Sequence, residues 1–355
     1  MSHIFELTHS PLLPSFLKEH AITVLITTYQ AGKLIVIGSL DGNTLYQTPI
    51  SLSKPMGIAI QGKKMAVACL DEIRFFSAEE NVHEIYNDTG RNYDIAYLQR
   101  ATYHTGILDI HDLDFGQGML WGTNTLLSCL GVYDINFSFR PKWKPPFISQ
   151  IVPEDRCHLN GMALIDGLPA YVTALSQSDD AQGWRDNKLA SGILMAVGTG
   201  EVLLSGLSMP HSPRMYQSHL YFLESGKGNL IRFNPEDKTH ELIFNFACFI
   251  RGLSIVKDIA IIGKSKIRAH SKDFNGLPVE AGSQHAGILM FDLKYRKFLG
   301  EINYTSGIEE IYDVVAMADI INPAIVPIES ALKKNIITIP KAKFWQNDSK
   351  DTKKT

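Results

Sequence analysis

The chain has 355 residues, of which 45% are hydrophobic, and its 34 basic and 37 acidic residues give a formal net charge of −3. This near balance of charge argues against a nucleic-acid partner. We find no apolar run of about 18 residues and no N-terminal basic segment leading into an apolar one, so we predict neither a membrane span nor a secretory signal.

The spacing of the cysteines predicts the compartment in which the protein is located. The four of them are scattered along the chain without a CxxC pair, at Cys69, Cys129, Cys157 and Cys248. In a chain of this length, such spacing predicts buried free thiols in a reducing compartment rather than a disulfide framework. We therefore expect a cytoplasmic protein, and the sequence leaves its oligomeric state open.

The chain opens with a mixed, Pro-containing lead-in segment over residues 1–20. Three runs rich in β-branched and aromatic residues follow at 23–29, 33–39 and 43–49, with Gly-containing turns between them. Short strands separated by such turns predict an antiparallel sheet rather than βαβ units.

A related octet then recurs along the chain, and each copy opens a short strand-like run. The octets lie at 54–61, 109–116, 157–164, 209–216, 249–256 and 310–317. Further β-runs follow each of the first five octets but not the sixth, whereas the N-terminal runs lack an opening strand. Pairing the strand at about 310–317 with those at about 23–49 completes a four-stranded unit. We therefore predict an all-β fold, a closed six-bladed β-propeller.

Two segments interrupt this rhythm. We interpret 87–107 as an inserted loop or short helix, and 137–150 as an irregular, basic, Pro-rich excursion. Because either segment could hide a degenerate blade, seven blades are the alternative. The propeller domain is assigned to residues 21–325, and residues 326–355 form a C-terminal extension with a charged end that we expect to be mobile.

In a propeller, the first strand of each blade lines the central channel. One position of every octet should therefore converge on one channel mouth, namely Met56, His111, Asn160, His211, Arg251 and Tyr312. Three further polar residues, Asp109, His158 and Glu310, lie two positions earlier in their octets. This convergence predicts a polar funnel that binds a small anionic or peptide-like ligand.

Neutral imidazole is a common ligand of transition metals, and three protein ligands with an open position are typical of a catalytic metal. We therefore predict one divalent metal ion held by His111, His158 and His211, with Asn160 or Glu310 beside it. A hydrated channel without a metal is the structural alternative. No local motif such as HExxH supports the metal.

Other residues of the funnel have candidate roles. Arg251 would bind a carboxylate or phosphate of the ligand through its planar fork, and Tyr312 or Asp112 would transfer protons. The structural alternatives are that Asp112 accepts a backbone hydrogen bond and that Arg251 forms an ion pair with Glu310 or Asp313.

An interruption at 176–190 contains Trp184 and Arg185, residue types that anchor interfaces. We interpret both as ligand contacts on a lid over the mouth. A hydrophobic plug against a blade is the alternative reading of Trp184.

Several longer segments carry a resemblance to a known family. They are 27–34 (TTYQAGKL), 153–161 (PEDRCHLNG), 183–185 (GWR), 207–214 (LSMPHSPR) and 251–253 (RGL). These segments resemble a largely bacterial family known as a conserved domain of unknown function with a propeller-like sequence. The resemblance spans roughly residues 20–325 and implies a propeller-like domain without an assigned reaction. The site hypothesis therefore rests on residue spacing alone.

Two functions of different classes fit this sequence. The first is a metal-assisted hydrolase, lyase or isomerase that acts on a small molecule or peptide in the funnel. The second is a non-catalytic scaffold that recognises a protein or peptide through the loops of Trp143 and Trp184. The sequence does not decide whether the protein is an enzyme.

Overall fold

The computed structural model describes residues 5–79, 93–267, 277–279, 282–330, 334–340 and 342–345. Within these ranges the chain forms six sheets of four or five strands, in which neighbouring strands are antiparallel except for one outer pair. The first strands of the six sheets contact one another in a closed ring. The predicted six-bladed β-propeller is therefore confirmed.

The strands are numbered in chain order, and each blade is given from the channel outward. Blade 1 comprises β25 (Asp313–Ala318), β2 (Ile22–Thr28), β3 (Lys33–Gly38) and β4 (Tyr46–Ser51). Blade 2 comprises β5 (Ile58–Gln61), β6 (Lys64–Ala68), β7 (Glu72–Glu79) and β8 (Ile95–His104). Blade 3 comprises β9 (Ile110–Gly116), β10 (Met119–Asn124), β11 (Cys129–Asp134) and β12 (Phe137–Trp143).

The remaining blades follow the same order. Blade 4 comprises β13 (Leu159–Ile165), β14 (Leu168–Ala174), β15 (Gly192–Ala196) and β16 (Val202–Leu207). Blade 5 comprises β17 (Pro210–Tyr216), β18 (His219–Glu224), β19 (Asn229–Phe233) and β20 (His240–Asn245). Blade 6 comprises β21 (Ile250–Val256), β22 (Ile259–Lys264), β23 (Gly287–Asp292) and β24 (Lys297–Tyr304).

Shorter elements flank the blades. They are β1 (Leu7–His9), α1 (Leu13–Glu19), β26 (Pro323–Val326), β27 (Ile336–Ile339), β28 (Ala342–Trp345) and 3-10 turns at Thr125–Leu127 and Gly183–Arg185. β1 pairs with β24, and β26 runs parallel to β8, so blades 6 and 2 each gain a fifth strand. β27 and β28 form a separate hairpin. Across the described ranges, no helix is both long and apolar enough to cross a membrane.

The ring closes through the two ends of the domain. β25 pairs antiparallel with β2, from Ile22 opposite Ala318 to Thr27 opposite Asp313. This pairing confirms the predicted closure of the C-terminal strand on the N-terminal strands.

The two interruptions of the repeat contain the outer strands of two blades. Residues 95–104 form β8 and residues 137–143 form β12, each the fourth strand of its blade. The interpretation of 87–107 as a loop or short helix was therefore wrong, as was that of 137–150 as irregular throughout. Residues 87–92 and the charged end of the extension, 346–355, lie outside the described residues.

The core lies between neighbouring blades, and the alternation of side chains explains it. In β3, Leu34 and Val36 pack toward blade 2, whereas Ile35 and Ile37 pack toward blade 6. Successive side chains of a strand point to opposite faces, and here both faces are covered. A strand in the middle of a blade therefore reads as a continuous apolar run.

Where the inner strands meet, glycine alternates with Asp or Ser from blade to blade. Each Asp or Ser accepts a backbone N–H of the next blade: Ile58 N to Asp313 Oδ2 (2.9 Å), Met162 N to Asp112 Oδ2 (3.0 Å) and Gly252 N to Ser212 Oγ (3.1 Å). A Cβ on Gly252 would lie 2.9 Å from the Asp313 Cα. Close approach of the strands therefore requires glycine at this position.

Candidate functional site

The chain enters the inner strands of blades 3, 4 and 5 through left-handed residues. Asp109, His158 and Met209 all have φ 51°, a conformation that is uncommon for residues other than glycine and is concentrated at functional sites. The turned carbonyls of Asp109 and Met209 accept hydrogen bonds from Nδ1 of His111 and His211, each at 2.9 Å. The backbone strain thus orients two imidazoles.

The third imidazole is held by a carboxylate. His158 Nδ1 lies 3.0 Å from both oxygens of Asp155. Because a carbonyl or carboxylate accepts at Nδ1 of each histidine, we assign the proton to Nδ1 in all three; Ser225 Oγ, 3.0 Å from His211 Nδ1, shares that proton. This tautomer leaves a lone pair on Nε2, the nitrogen that can bind a metal or accept a proton.

Four rings run in sequence across the mouth. The His111 ring centroid lies 5.3 Å from that of Tyr312 and 4.8 Å from that of His158, in both cases edge to face. The Trp184 ring lies 4.3 Å from His158 on the other side. Contact between neighbours therefore restricts the orientation of each ring.

These residues enclose a cavity of about 310 Å³ at one channel mouth. The charged and imidazole side chains in its lining are Asp109, His111, His158, Arg185, His211, Arg251 and Glu310. The rest of the lining is apolar or aromatic: Tyr29, Met56, Leu175, Trp184, Met209, Phe249 and Tyr312. A concave site that combines an apolar wall with a few convergent polar groups is typical of small-molecule binding.

Arg251 is the central cation of the cavity. Its guanidinium carbon lies 3.6 Å from the centroid of the Tyr312 ring, a stacked cation–π contact. Glu310 Oε1 lies 3.7 Å from Arg251 Nη1, beyond normal hydrogen-bond distance. The Arg251 side chain is only 11% exposed, so its charge is largely shielded from bulk water, and the Glu310 carboxylate is not hydrogen-bonded to it.

Burial sets the protonation states in the cavity. Burial, then the neighbouring His158, lowers the pKa of His111 well below its ordinary value, and burial, then Arg251, does the same for His211. Burial raises the pKa of Tyr312 well above its ordinary range. At neutral pH the two histidines are therefore neutral, and Tyr312 is a hydrogen-bond donor.

The Tyr312 hydroxyl has no hydrogen-bond partner among the residues described, although it is buried. An unpaired buried hydroxyl carries a free-energy cost, which a ligand acceptor would relieve.

Asp109 is a second titratable group of the cavity lining. Burial and then the charge of Asp155 raise the pKa of Asp109.

Trp184 forms one wall rather than an open lid. It lies in the 3-10 turn Gly183–Arg185, is only 4% exposed, and donates from Nε1 to Asp155 Oδ2 at 2.8 Å. The Arg185 guanidinium carbon sits 4.3 Å from the Trp184 ring centroid, at the cavity edge. One carboxylate, Asp155, therefore positions both His158 and Trp184.

Two of the predicted site residues do not line the cavity. Asn160 accepts from Thr173 Oγ1 at 2.8 Å and is buried beneath it. Asp112 points deeper into the channel, where Arg214 Nη1 and Nη2 donate to its two oxygens at 2.8 and 2.9 Å. Both side chains are occupied with contacts within the fold.

The predicted metal ligands come only partly together. His111 and His158 are in ring contact, and His211 lines the same cavity. In the part of the chain that the structure describes, no group of three or more His, Cys, Asp or Glu side chains is placed to hold a metal ion. The metal stays a prediction.

Sequence reasoning missed several residues of this region. Asp155 lies three positions before His158, in a quoted segment, and that spacing could have found it. Phe249 and Met209 lie two positions before aligned octet residues, so extending the alignment would have found them. Tyr29 and Arg214 also lie in quoted segments, but neither occupies the aligned position of an octet, and only the fold brings them to the channel.

Comparison with known proteins supports the architecture. The family described as a domain of unknown function, DUF4915, matches residues 11–326. Among solved structures, one propeller with the description "Crystal structure of Nidogen/Laminin Complex" is similar with a TM-score of 0.55 and 11% identity, over 84% of this chain and 99% of that chain. At this identity the likeness concerns the fold alone. No curated protein matches.

Proposed function

The chain belongs to the DUF4915 family, as its resemblance indicated, and because that family is described only as a domain of unknown function, we propose from the cavity that it binds a small organic anion. Arg251 would bind the anionic group. The single observation that carries this proposal is the Arg251 guanidinium inside the cavity: its side chain is 11% exposed, and its Nη1 lies 3.7 Å from the Glu310 carboxylate.

Tyr312 supports the same orientation of the ligand. Its ring stacks under Arg251, and its hydroxyl is buried without a partner among the described residues. A carboxylate or phosphate oxygen that reached both groups would accept a charge-assisted hydrogen bond from each, and such bonds are stronger than neutral ones.

The rest of the ligand would be apolar and small. Trp184, Met209 and Phe249 offer a wall of apolar surface in the same lining. At about 30 Å³ for each water-sized group, a cavity of this volume holds roughly ten non-hydrogen atoms. A monocarboxylate or phosphate monoester with one ring matches this size.

The neutral histidines would give the site its chemistry. His111 and His211 present Nε2 lone pairs in the same cavity as Arg251, so either could take a proton from a bound ligand. A metal-assisted hydrolase, lyase or isomerase reaction is the finer form of this proposal. It requires a divalent ion, which His111, His158 and His211 would hold.

Calorimetric titration tests the binding proposal, with benzoate and phenyl phosphate as probes and benzyl alcohol as the uncharged control. Arg251→Met should weaken anion binding by about 10- to 100-fold, and Tyr312→Phe by about 10-fold. Tyr304→Phe is a matched control, because the Tyr304 hydroxyl is also buried without a partner among the described residues, yet Tyr304 lies outside the cavity lining. Equal binding of benzyl alcohol, or equal loss in Tyr304→Phe, would contradict the proposal.

The recognition scaffold remains the second hypothesis. It places Trp143 and Trp184 against a protein or peptide partner, and the 4% exposure of Trp184 supports it less well than a ligand wall. Failure of both anions to bind, with a folded protein, would favour it.

A further inference from the structure

A second cavity, of about 470 Å³, lies between the outer parts of blades 5 and 6. It shares no lining residue with the cavity at the channel mouth. Its walls come from β20, the outermost strand of blade 5, and from β22, β23 and β24 of blade 6. A ligand here would bind independently of the proposed anion site.

One side of this second cavity is aromatic. The rings of Phe244 and Phe298 are nearly parallel, at 4°, with centroids 6.4 Å apart, and Phe246 lies 4.8 Å from Phe244. Phe298 is 40% exposed. Aromatic groups stack against or edge onto such rings, so this wall favours a ligand with a ring.

The other side is polar: it carries Lys264, His285, Glu301 and Asn303, and Lys264 pairs with Glu301. Lys264 is only 7% exposed and donates from Nζ to Glu301 Oε2 at 2.5 Å. A ligand with a carboxylate or phosphate would have to enter beside the Glu301 carboxylate. Burial alone would raise the pKa of Glu301, but the hydrogen bond from Lys264 helps to lower it below its ordinary value. An uncharged ligand is therefore favoured.

The hydrogen-bonding capacity of this polar side is incompletely used. Asn303 Nδ2 donates to Glu301 Oε1 at 3.0 Å, whereas Asn303 Oδ1 is buried with no partner in the described part of the chain. Lys264 carries three N–H donors, and its bond to Glu301 uses one of them. Because Lys264 and Asn303 bind the same carboxylate, a spare donor and a spare acceptor lie close together.

We propose that this cavity between blades 5 and 6 binds an uncharged aromatic amide. The amide carbonyl would accept from Lys264, the amide N–H would donate to Asn303 Oδ1, and the ring would contact the phenylalanine wall. A small aryl amide or an aromatic residue within a peptide supplies the same chemistry.

Fluorine NMR on the full chain tests this proposal. 4-Fluorobenzamide represents the small amide, and N-acetyl-4-fluorophenylalanine amide represents the peptide source. 4-Fluorobenzoate and 4-fluorotoluene are the charged and the apolar controls. Both amides should bind at least about 10-fold more tightly than either control, since 4-fluorobenzoate lacks the N–H donor and 4-fluorotoluene lacks both the donor and the carbonyl acceptor. Tighter binding of the phenylalanine derivative would identify a peptide as the source.

Variants locate the binding. Phe298→Ala and Asn303→Leu should each lower amide affinity by about 10-fold, whereas Arg251→Met, in the other cavity, should leave it unchanged. Thermal unfolding checks that every variant is folded. Amide binding no tighter than that of 4-fluorotoluene, or binding that is lost in Arg251→Met and kept in Phe298→Ala, would overturn the proposal.

Discussion

Replacing Arg214 should destabilise the propeller more than replacing a charged residue at the surface. This side chain leaves β17 of blade 5 and donates two hydrogen bonds to Asp112 of blade 3, at 2.8 and 2.9 Å. It also lies 3.8 Å from Asp313, on the closing strand β25 of blade 1. Arg214→Met would leave both carboxylates, each 3% exposed, without their cation.

The magnitude follows from burial. Removing one partner of a buried ion pair costs about 3–5 kcal/mol, because the other charge stays buried and unpaired. The Arg214 side chain is itself 23% exposed, so water can enter the vacated space. We therefore expect a loss near the lower limit, about 3 kcal/mol of unfolding free energy at pH 7.5.

Equilibrium urea unfolding measures this loss. Lys257→Met is the matched control, because Lys257 pairs with Asp319, which is 79% exposed, and a surface pair contributes about 0–1 kcal/mol. Adding Asp112→Asn to Arg214→Met should restore part of the stability by removing a stranded charge. A loss below about 1 kcal/mol, or a double variant less stable than Arg214→Met alone, would refute this reasoning.

Three further predictions concern protonation, the Trp184 wall and the metal. Burial raises the pKa of Asp313 from 3.8 to about 7, so the folded state keeps a proton that the unfolded chain has lost. The contribution of this group to stability is full below pH 4 and falls as pH rises from about 4 to about 7; Asp313→Asn should flatten that slope in urea unfolding, and an unchanged slope would contradict the assignment. Asp155→Leu removes the acceptor of the Trp184 indole, so tryptophan emission should shift to longer wavelength; an unchanged spectrum would mean that packing alone holds the ring. Elemental analysis should find near-stoichiometric metal in the wild type and little in His111→Ala/His211→Ala, and a metal-free wild type would end the metalloenzyme hypothesis.

The outer strands show where sequence reasoning on the fold loses its signal. β12 is exposed along most of its length, and β8 mixes buried and exposed positions without a clear period. β12 is an edge strand with one neighbour and few buried positions, so selection for alternating apolar residues is weak there. β8 lies between β7 and β26, but its burial still follows no period of two. Both strands were therefore interpreted as excursions.

The candidate site shows a related limit. Alignment of the octets brought His111, His211, Arg251 and Tyr312 to one cavity, which the structure supports. It also placed Asp112 beside them as a proton donor, although neighbouring side chains of a strand point to opposite sides. Asp112 lies under the cavity because His111, the residue before it, lines the cavity.

The sequence by itself predicted six blades, with seven as the alternative, and the closure of the ring. That prediction rests on the recurrence of the octet and on β-runs separated by Gly-containing turns, and both features are local in the sequence. Only the tertiary structure decided which side chains meet. The contacts of Asp155 with Trp184 and of Arg214 with Asp112 join segments 29 and 102 residues apart, and no local pattern records such distances, because they depend on how six blades close around one axis.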